Sequence, residues 1–220
     1  MIVDVLCSDP RHPVVPFLEA WVQKENAEHE AQLFFRLGDL RGGDVLFLVS
    51  CSEIVTPETR SRYRETMVLH ASDLPNGRGW SPYVWELLAG AEQITMTLLR
   101  AEDPVDTGAI WAKRAVDIPK ALLFDEISER LFMAEIDLMS HGLTLVSAGA
   151  VPEPQATDGA TYWPKRQPTD SRIDPAKSLA MCFDQIRIAD PHRYPAFFDL
   201  HGQRFYIELK KKPIRGRDEN

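Results

Sequence analysis

The chain has 220 residues, 44% of them apolar, and a formal net charge of −8 from 33 acidic and 25 basic side chains. That composition suits one α/β-sized domain, or a domain with a small appendage, and excludes a disordered chain. The acidic balance disfavours a general nucleic-acid surface, and no apolar run approaches the ~20 residues of a bilayer span.

Cys7, Cys51 and Cys182 are odd in number and widely spaced, with no Cys-x-x-Cys, so they support neither a disulfide framework nor a zinc ribbon. With no basic and apolar leader at the start, the expectation is a soluble, unprocessed, cytoplasmic protein. The basic run "KKKPIRGR" reads as a solvated tail after the last strand.

The first element, "MIVDVLCSD", is a short and nearly continuous apolar strand of the kind buried on both faces of a parallel sheet. Phe17, Leu18, Trp21 and Val22 then fall at helical spacing and predict a helix that covers the sheet. "AQLFFRL" and "DVLFLVSCSEIV" predict two more strands. The glycines between them, Gly38, Gly42 and Gly43, do not form the Gly-x-Gly-x-x-Gly dinucleotide fingerprint and read as a turn. A polar, helical "PETRSRYRE" leads into the strand "TMVLHAS".

Beyond a turn-rich segment, Ser81 and Pro82 mark a helix start and Gly90 its stop. "QITMTLLRA" and "GAIWAKRAVDI" predict two strands joined by the acidic link "EDPVDT". Residues 121–141 predict a long amphipathic helix with Gly142 as its C-cap. A Pro-, Asp- and Thr-rich loop over 147–174 exceeds the ~12–15 residues at which unstructured loops become uncommon, which marks it as functional or mobile. Asp174 and Pro175 open a last helix, and "PAFFDLHGQRFYIELK" predicts a hairpin turning at His201 and Gly202. The pattern is a doubly wound, Rossmann-like, mostly parallel α/β sheet with a small C-terminal helix and β-hairpin appendage.

Six histidines show no metal-ligand spacing, so no metal site is expected. Only His70 ends a buried strand ahead of a helix, where open α/β sheets bind ligands. On its own it is either functional or a hydrogen-bonded structural histidine. Asp106 sits in an Asp-Thr-Gly turn that fixes its carboxylate, either as an Asx-turn residue or as a functional acid. An imidazole and a carboxylate converging in one crevice would form a proton-transfer pair.

"HASDLPNGRGWSPYVWELLAGAEQITMTLLRAEDPVDTGAI" resembles the core of the folate-dependent formyltransferases, whose signature is Asn-x-His-x-Ser-x-Leu-Pro-x-x-x-Gly, then a helix, then Asp-Thr-Gly-x-Ile. "YWPKRQPTDSRID" and "IRIADPHRYPAFF" resemble the segment after that core in the tRNA and sugar branches. The likeness covers about 150 residues from the third strand onward, and the N-terminal 45 residues agree in pattern alone. It implies an N-formyltransferase that uses 10-formyltetrahydrofolate, with His70 and Asp106 as catalytic residues. Ser50, Cys51, Ser52 and Ile54 would then cradle the pterin, and Ser72, Arg78 and Gly79 would bind substrate.

The family asparagine falls at Val68, which cannot donate a hydrogen bond, and Ser50, Ser52 and Ser72 are the polar residues available to replace it. The wording of the motif is closest to the nucleotide amino-sugar branch of surface polysaccharide biosynthesis. The absence of a further domain after position 200, with the negative charge, points the same way. The implied partner is a small nucleotide-sugar, with neither nucleic acid nor membrane, and a homodimer is left open. The alternatives are a methionyl-tRNA or purine-type formyltransferase and a non-catalytic folate- or nucleotide-binding module. The expected divisions are a catalytic domain over 1–146, the loop, helix and hairpin over 147–212, and a polar tail over 213–220.

Overall fold

The computed structural model describes residues 1–212, so the expected polar tail lies outside the described residues. In chain order, the first half contains β1 (Ile2–Leu6), α1 (Val15–Glu25), β2 (Glu30–Phe34), β3 (Gly43–Leu48), α2 (Pro57–Arg60), β4 (Tyr63–His70), β5 (Arg78–Gly79) and α3 (Pro82–Leu88). The second half contains β6 (Gln93–Arg100), β7 (Ile110–Asp117), α4 (Phe124–Ser147), β8 (Tyr162–Trp163), α5 (Leu179–Arg187), β9 (Ala196–Leu200) and β10 (Gln203–Ile207).

Six strands form the central sheet in the order β2-β1-β3-β4-β6-β7. β2, β1, β3 and β4 run parallel, β6 pairs antiparallel with β4, and β7 pairs antiparallel with β6 at the edge. The expected mostly parallel α/β sheet is therefore present, with the helix and hairpin appended. The strand order reverses between β1 and β3, so their carboxyl ends border the crevice that such sheets open at a switch point.

Alternation along the strands sorts side chains onto two faces. Val3, Val5, Val45, Phe47, Met67 and Leu69 join one large apolar cluster with residues of α1 and α4. Leu6, Leu46, Leu48 and Tyr63 join a smaller cluster with Leu40 and Val55. The Trp21 ring meets Phe47 edge-on at 5.7 Å, and its indole N–H donates to Ser140 Oγ of α4 at 2.8 Å, which ties the two long helices together.

Several expectations are corrected. Gly142 does not cap α4, which continues to Ser147; it lies buried within the helix. A Cβ there would stand 2.8 Å from Leu98 Cδ2 and 3.2 Å from Met67 Sδ, so the missing side chain lets α4 settle onto the sheet. The helix expected over "PETRSRYRE" stops at Arg60, because Tyr63, Thr66 and Met67 already turn inward as strand residues. The last helix begins at Leu179 rather than at Pro175, with Ser178 Oγ accepting from Met181 N. Ser81 stands at the N-cap of α3, but its backbone is left-handed (φ 46°) and its hydroxyl makes no cap bond. Gly90 and the hairpin turn at His201 and Gly202 are where expected.

Candidate active site

β4 carries the first candidate side chain, His70. Met67 and Leu69 point into the large cluster, so the period-two alternation turns Val68 and His70 to the opposite face. The chain after His70 is fastened down at once. Leu74 is fully buried, Thr97 Oγ1 donates to Ser72 O at 2.7 Å, and Lys113 Nζ donates to Leu74 O at 2.6 Å. Gly77 has φ 75°, and a Cβ there would stand 2.8 Å from Ser72 Cβ, so the turn requires glycine on both counts. The result brings Gly77 O to 2.9 Å from His70 Nε2.

Asp106 arrives from the other side. It is buried and holds φ 63°, a left-handed conformation that Asp tolerates better than most residues. Its Oδ2 accepts from Gly79 N at 2.9 Å, which leaves Oδ1 facing His70 Nδ1 at 3.6 Å. Gly108, two residues on, packs so tightly on Arg100 O that no side chain fits.

The ring thus lies between a carbonyl and a carboxylate. Gly77 O is an acceptor only, so the bond at Nε2 requires the ring proton on that nitrogen. Nδ1 then faces Asp106 Oδ1 at a distance too long for a tight bond.

The other expected site residues separate into two groups. Leu48 and Val68 pair in register, and two residues further along each chain lie Ser50 and His70. Ser50 turns the chain with φ 48°, Ser52 N and Oγ bond to Ser8 Oγ beyond β1, and Ile54 is 74% exposed. Cys51 is half-buried, and burial pushes its thiol pKa up. The bend is largely exposed and follows the strand that pairs with the His70 strand. Ser72, by contrast, is closed off beneath Gly77 with its Oγ unpartnered among the described residues. Arg78 is also buried. Its guanidinium goes to Gln155 Oε1 and Tyr162 OH rather than outward, and Gly79 contributes its amide to Asp106. Val68, at the asparagine position, packs with the smaller apolar cluster.

The loop over 147–174 is where sequence reasoning missed most. It is strapped across the site: Arg78 N donates to Thr161 O, Gly77 N to Thr161 Oγ1 and Trp80 N to Trp163 O, and β5 pairs parallel with β8. Trp85 and Trp163 stack at 5.8 Å, and Lys165 Nζ sits 4.5 Å from the Trp80 ring centre. Gln155 reaches from this strap to the Asp106 turn. The unusual loop length was the one signal available for it. Two carboxyls on α3 and α4 are held above the usual carboxylate range. Burial, with Asp73 adding to it, pushes Glu86 up to about 7, and burial alone pushes Glu135 up to about 8. A cleft of about 380 Å³, lined by Arg11, Phe17, Phe132, Asp190 and Arg193 among others, shares no lining residue with the His70–Asp106 pair. Among the described residues no cluster of His, Cys, Asp and Glu could hold a metal, and no helix is long and apolar enough to cross a membrane.

Residues 6–143 match the family described as Formyl transferase. Methionyl-tRNA formyltransferase of Halorhodospira halophila is 36% identical over 148 residues, which cover 67% of this chain and 44% of that protein. The chain therefore spans less than half the length of that relative. Among solved structures, methionyl-tRNA formyltransferase from Clostridium thermocellum superposes with a TM-score of 0.82 at 21% identity, covering 97% of this chain and 94% of that one. HypX from Aquifex aeolicus, in complex with tetrahydrofolic acid, gives 0.77 at 17%, covering 95% and 37%. A sugar N-formyltransferase from Shewanella gives 0.71 at 17%, covering 98% and 100%. At these identities the superpositions establish the shared fold.

Proposed function

The chain belongs to the formyl transferase family, and we propose that it moves the formyl group of 10-formyltetrahydrofolate to the amine of a nucleotide-linked amino sugar. The observation that carries this reading is the pairing of His70 Nδ1 with an Asp106 carboxylate oriented by Gly79 N. Acyl transfer to an amine needs a donor where the carbonyl oxygen becomes negative and an acceptor for the proton the amine loses. The pair supplies both.

In the proposed reaction a neutral amine attacks the formyl carbon. A bond forms from the acceptor nitrogen to that carbon, and the bond from the carbon to N10 of the folate breaks. Cationic His70, fixed through Nε2 by Gly77 O, donates Nδ1–H to the developing oxyanion. Asp106, 3.6 Å from the ring, takes up the amine proton, which is returned to N10 through water. Because the amine must be neutral, transfer rises with pH through its ionisation. The bend at Ser50 to Ile54 is the proposed seat of the pterin, since it flanks His70 and is open to solvent.

The sugar acceptor is supported by the net charge of −8, which offers little for phosphate neutralisation on a folded RNA. The 36% identity to a methionyl-tRNA formyltransferase favours a second reading, with aminoacyl-tRNA as acceptor. A competition assay decides between them: 10-formyltetrahydrofolate is offered with methionyl-tRNA, glycinamide ribonucleotide and a panel of nucleotide-linked 4-amino sugars. Formylation of an amino sugar is expected. Efficient formylation of methionyl-tRNA with none of the sugars overturns the sugar assignment.

A further inference from the structure

Gln155 stands at the crossing of the strap and the Asp106 turn, and its side-chain amide uses its full bonding capacity there. Nε2 donates to Asp106 O and to Gly108 O, each at 3.1 Å, so it spans the Asp-Thr-Gly turn from both ends. Oε1 accepts from Arg78 Nε at 3.0 Å and from Arg78 Nη2. Two donors and two lone pairs leave the amide no freedom to flip. Arg78 in turn donates to Tyr162 OH at 3.1 Å, and its backbone N–H is held by Thr161 O. The next residue, Gly79, supplies the amide that fixes the Asp106 carboxylate. Asp106 is thus gripped at its carbonyl by Gln155 and at its carboxylate by a backbone that Gln155 also braces.

A left-handed non-glycine residue needs such bracing, because its backbone is intrinsically unfavourable and persists only when its surroundings over-determine it. The 3.6 Å separation between Asp106 Oδ1 and His70 Nδ1 depends on this turn, and a displacement near 1 Å can cost about 10²-fold in rate. We infer that Gln155 is a positioning residue: it sets Asp106 against His70 by tying the 150–163 strap to the Asp-Thr-Gly turn. The inference rests on the formyl-transfer reading for its rate effects, while its effect on His70 can be measured without turnover.

Two near-isosteric variants test it. Gln155→Glu keeps an acceptor for Arg78 but turns a carboxylate toward two carbonyls, whereas Gln155→Met removes every bond and keeps the volume. In Gln155→Glu, kcat is expected to fall by about tenfold or more near pH 8, with KM for 10-formyltetrahydrofolate little changed. The deficit relative to wild type persists down to about pH 5, because the Arg78 guanidinium on the same oxygen keeps the introduced carboxyl ionised. Gln155→Met shows a persistent deficit as well. Wild-type kcat in Gln155→Glu across that range, or a loss confined to KM, overturns the inference. If the wild type releases no tetrahydrofolate with any amine, it is the formyl-transfer reading that has failed. The inference is then judged from the His70 ring nitrogens by NMR, whose shifts are expected to move in both variants; unmoved shifts in the folded variants overturn it.

Discussion

The sheet core under α1 and α4 and the crown around His70 are held together by different physics. The core is apolar and built from adjacent strands, and Val3, Val5, Phe47, Met67 and Leu98 gain their stability from burial, which has no preferred direction. The crown draws on segments 70–80, 104–108 and 153–163, and its key contacts are hydrogen bonds between residues 27 to 84 positions apart. Burial tolerates small shifts and hydrogen bonds do not. Damage to the core should therefore appear as lost stability with catalysis intact, and damage to the crown as lost catalysis with stability nearly intact.

The largest stability effect sharpens that division from the core side. Phe47→Ala removes a fully buried ring that meets Trp21, and chemical denaturation should register a loss of about 3–5 kcal/mol. Formyl transfer per folded molecule is expected to remain close to wild type. A parallel fall in that quantity would break the comparison.

Gly79→Ala makes the converse test in the crown. Gly79 has φ 97°, and a Cβ there would collide with Trp163 O, so β8 must lift from β5 and the amide on Asp106 must move. Transfer should drop by about tenfold or more, while the melting temperature moves by a few degrees at most. A large loss of stability with normal turnover would mean that the crown behaves like core.

A smaller effect belongs to Glu135, a buried carboxyl on α4. Its Oε2 is unpartnered among the described residues, and burial raises the carboxyl from 4.5 to about 8. Between those values the folded state holds a proton that the unfolded state has lost, so stability declines as pH rises from about 4.5 to 8. Glu135→Met should gain little in melting temperature near pH 5 and progressively more toward pH 8. An equal gain at both pH values would show that the carboxyl is not the titrating group.

The same contrast explains what the sequence made legible. The nearly continuous apolar runs in "IVDVL", "DVLFL" and "TMVLH" mark strands buried on both faces, so the sheet follows from local pattern. The His70 and Asp106 positions were readable because turn chemistry frames each of them. β8 was not, since two residues carry no period and their partner lies 84 positions away. Gln155 was hidden for the same reason. Gly142 was misread because a glycine that ends a helix and one that lets a helix approach a sheet are identical in sequence, and only the nearness of Leu98 and Met67 separates them.

The central claim, that His70 and Asp106 carry formyl transfer, is tested most directly by measuring tetrahydrofolate release from 10-formyltetrahydrofolate with a reactive amine acceptor. The wild type is compared with His70→Asn and Asp106→Asn, whose folding is checked by melting temperature. Each substitution removes a transition-state interaction and little buried volume, so release should fall by at least ~10² in both variants with melting close to wild type. Folded His70→Asn protein that turns over at the wild-type rate would contradict the account.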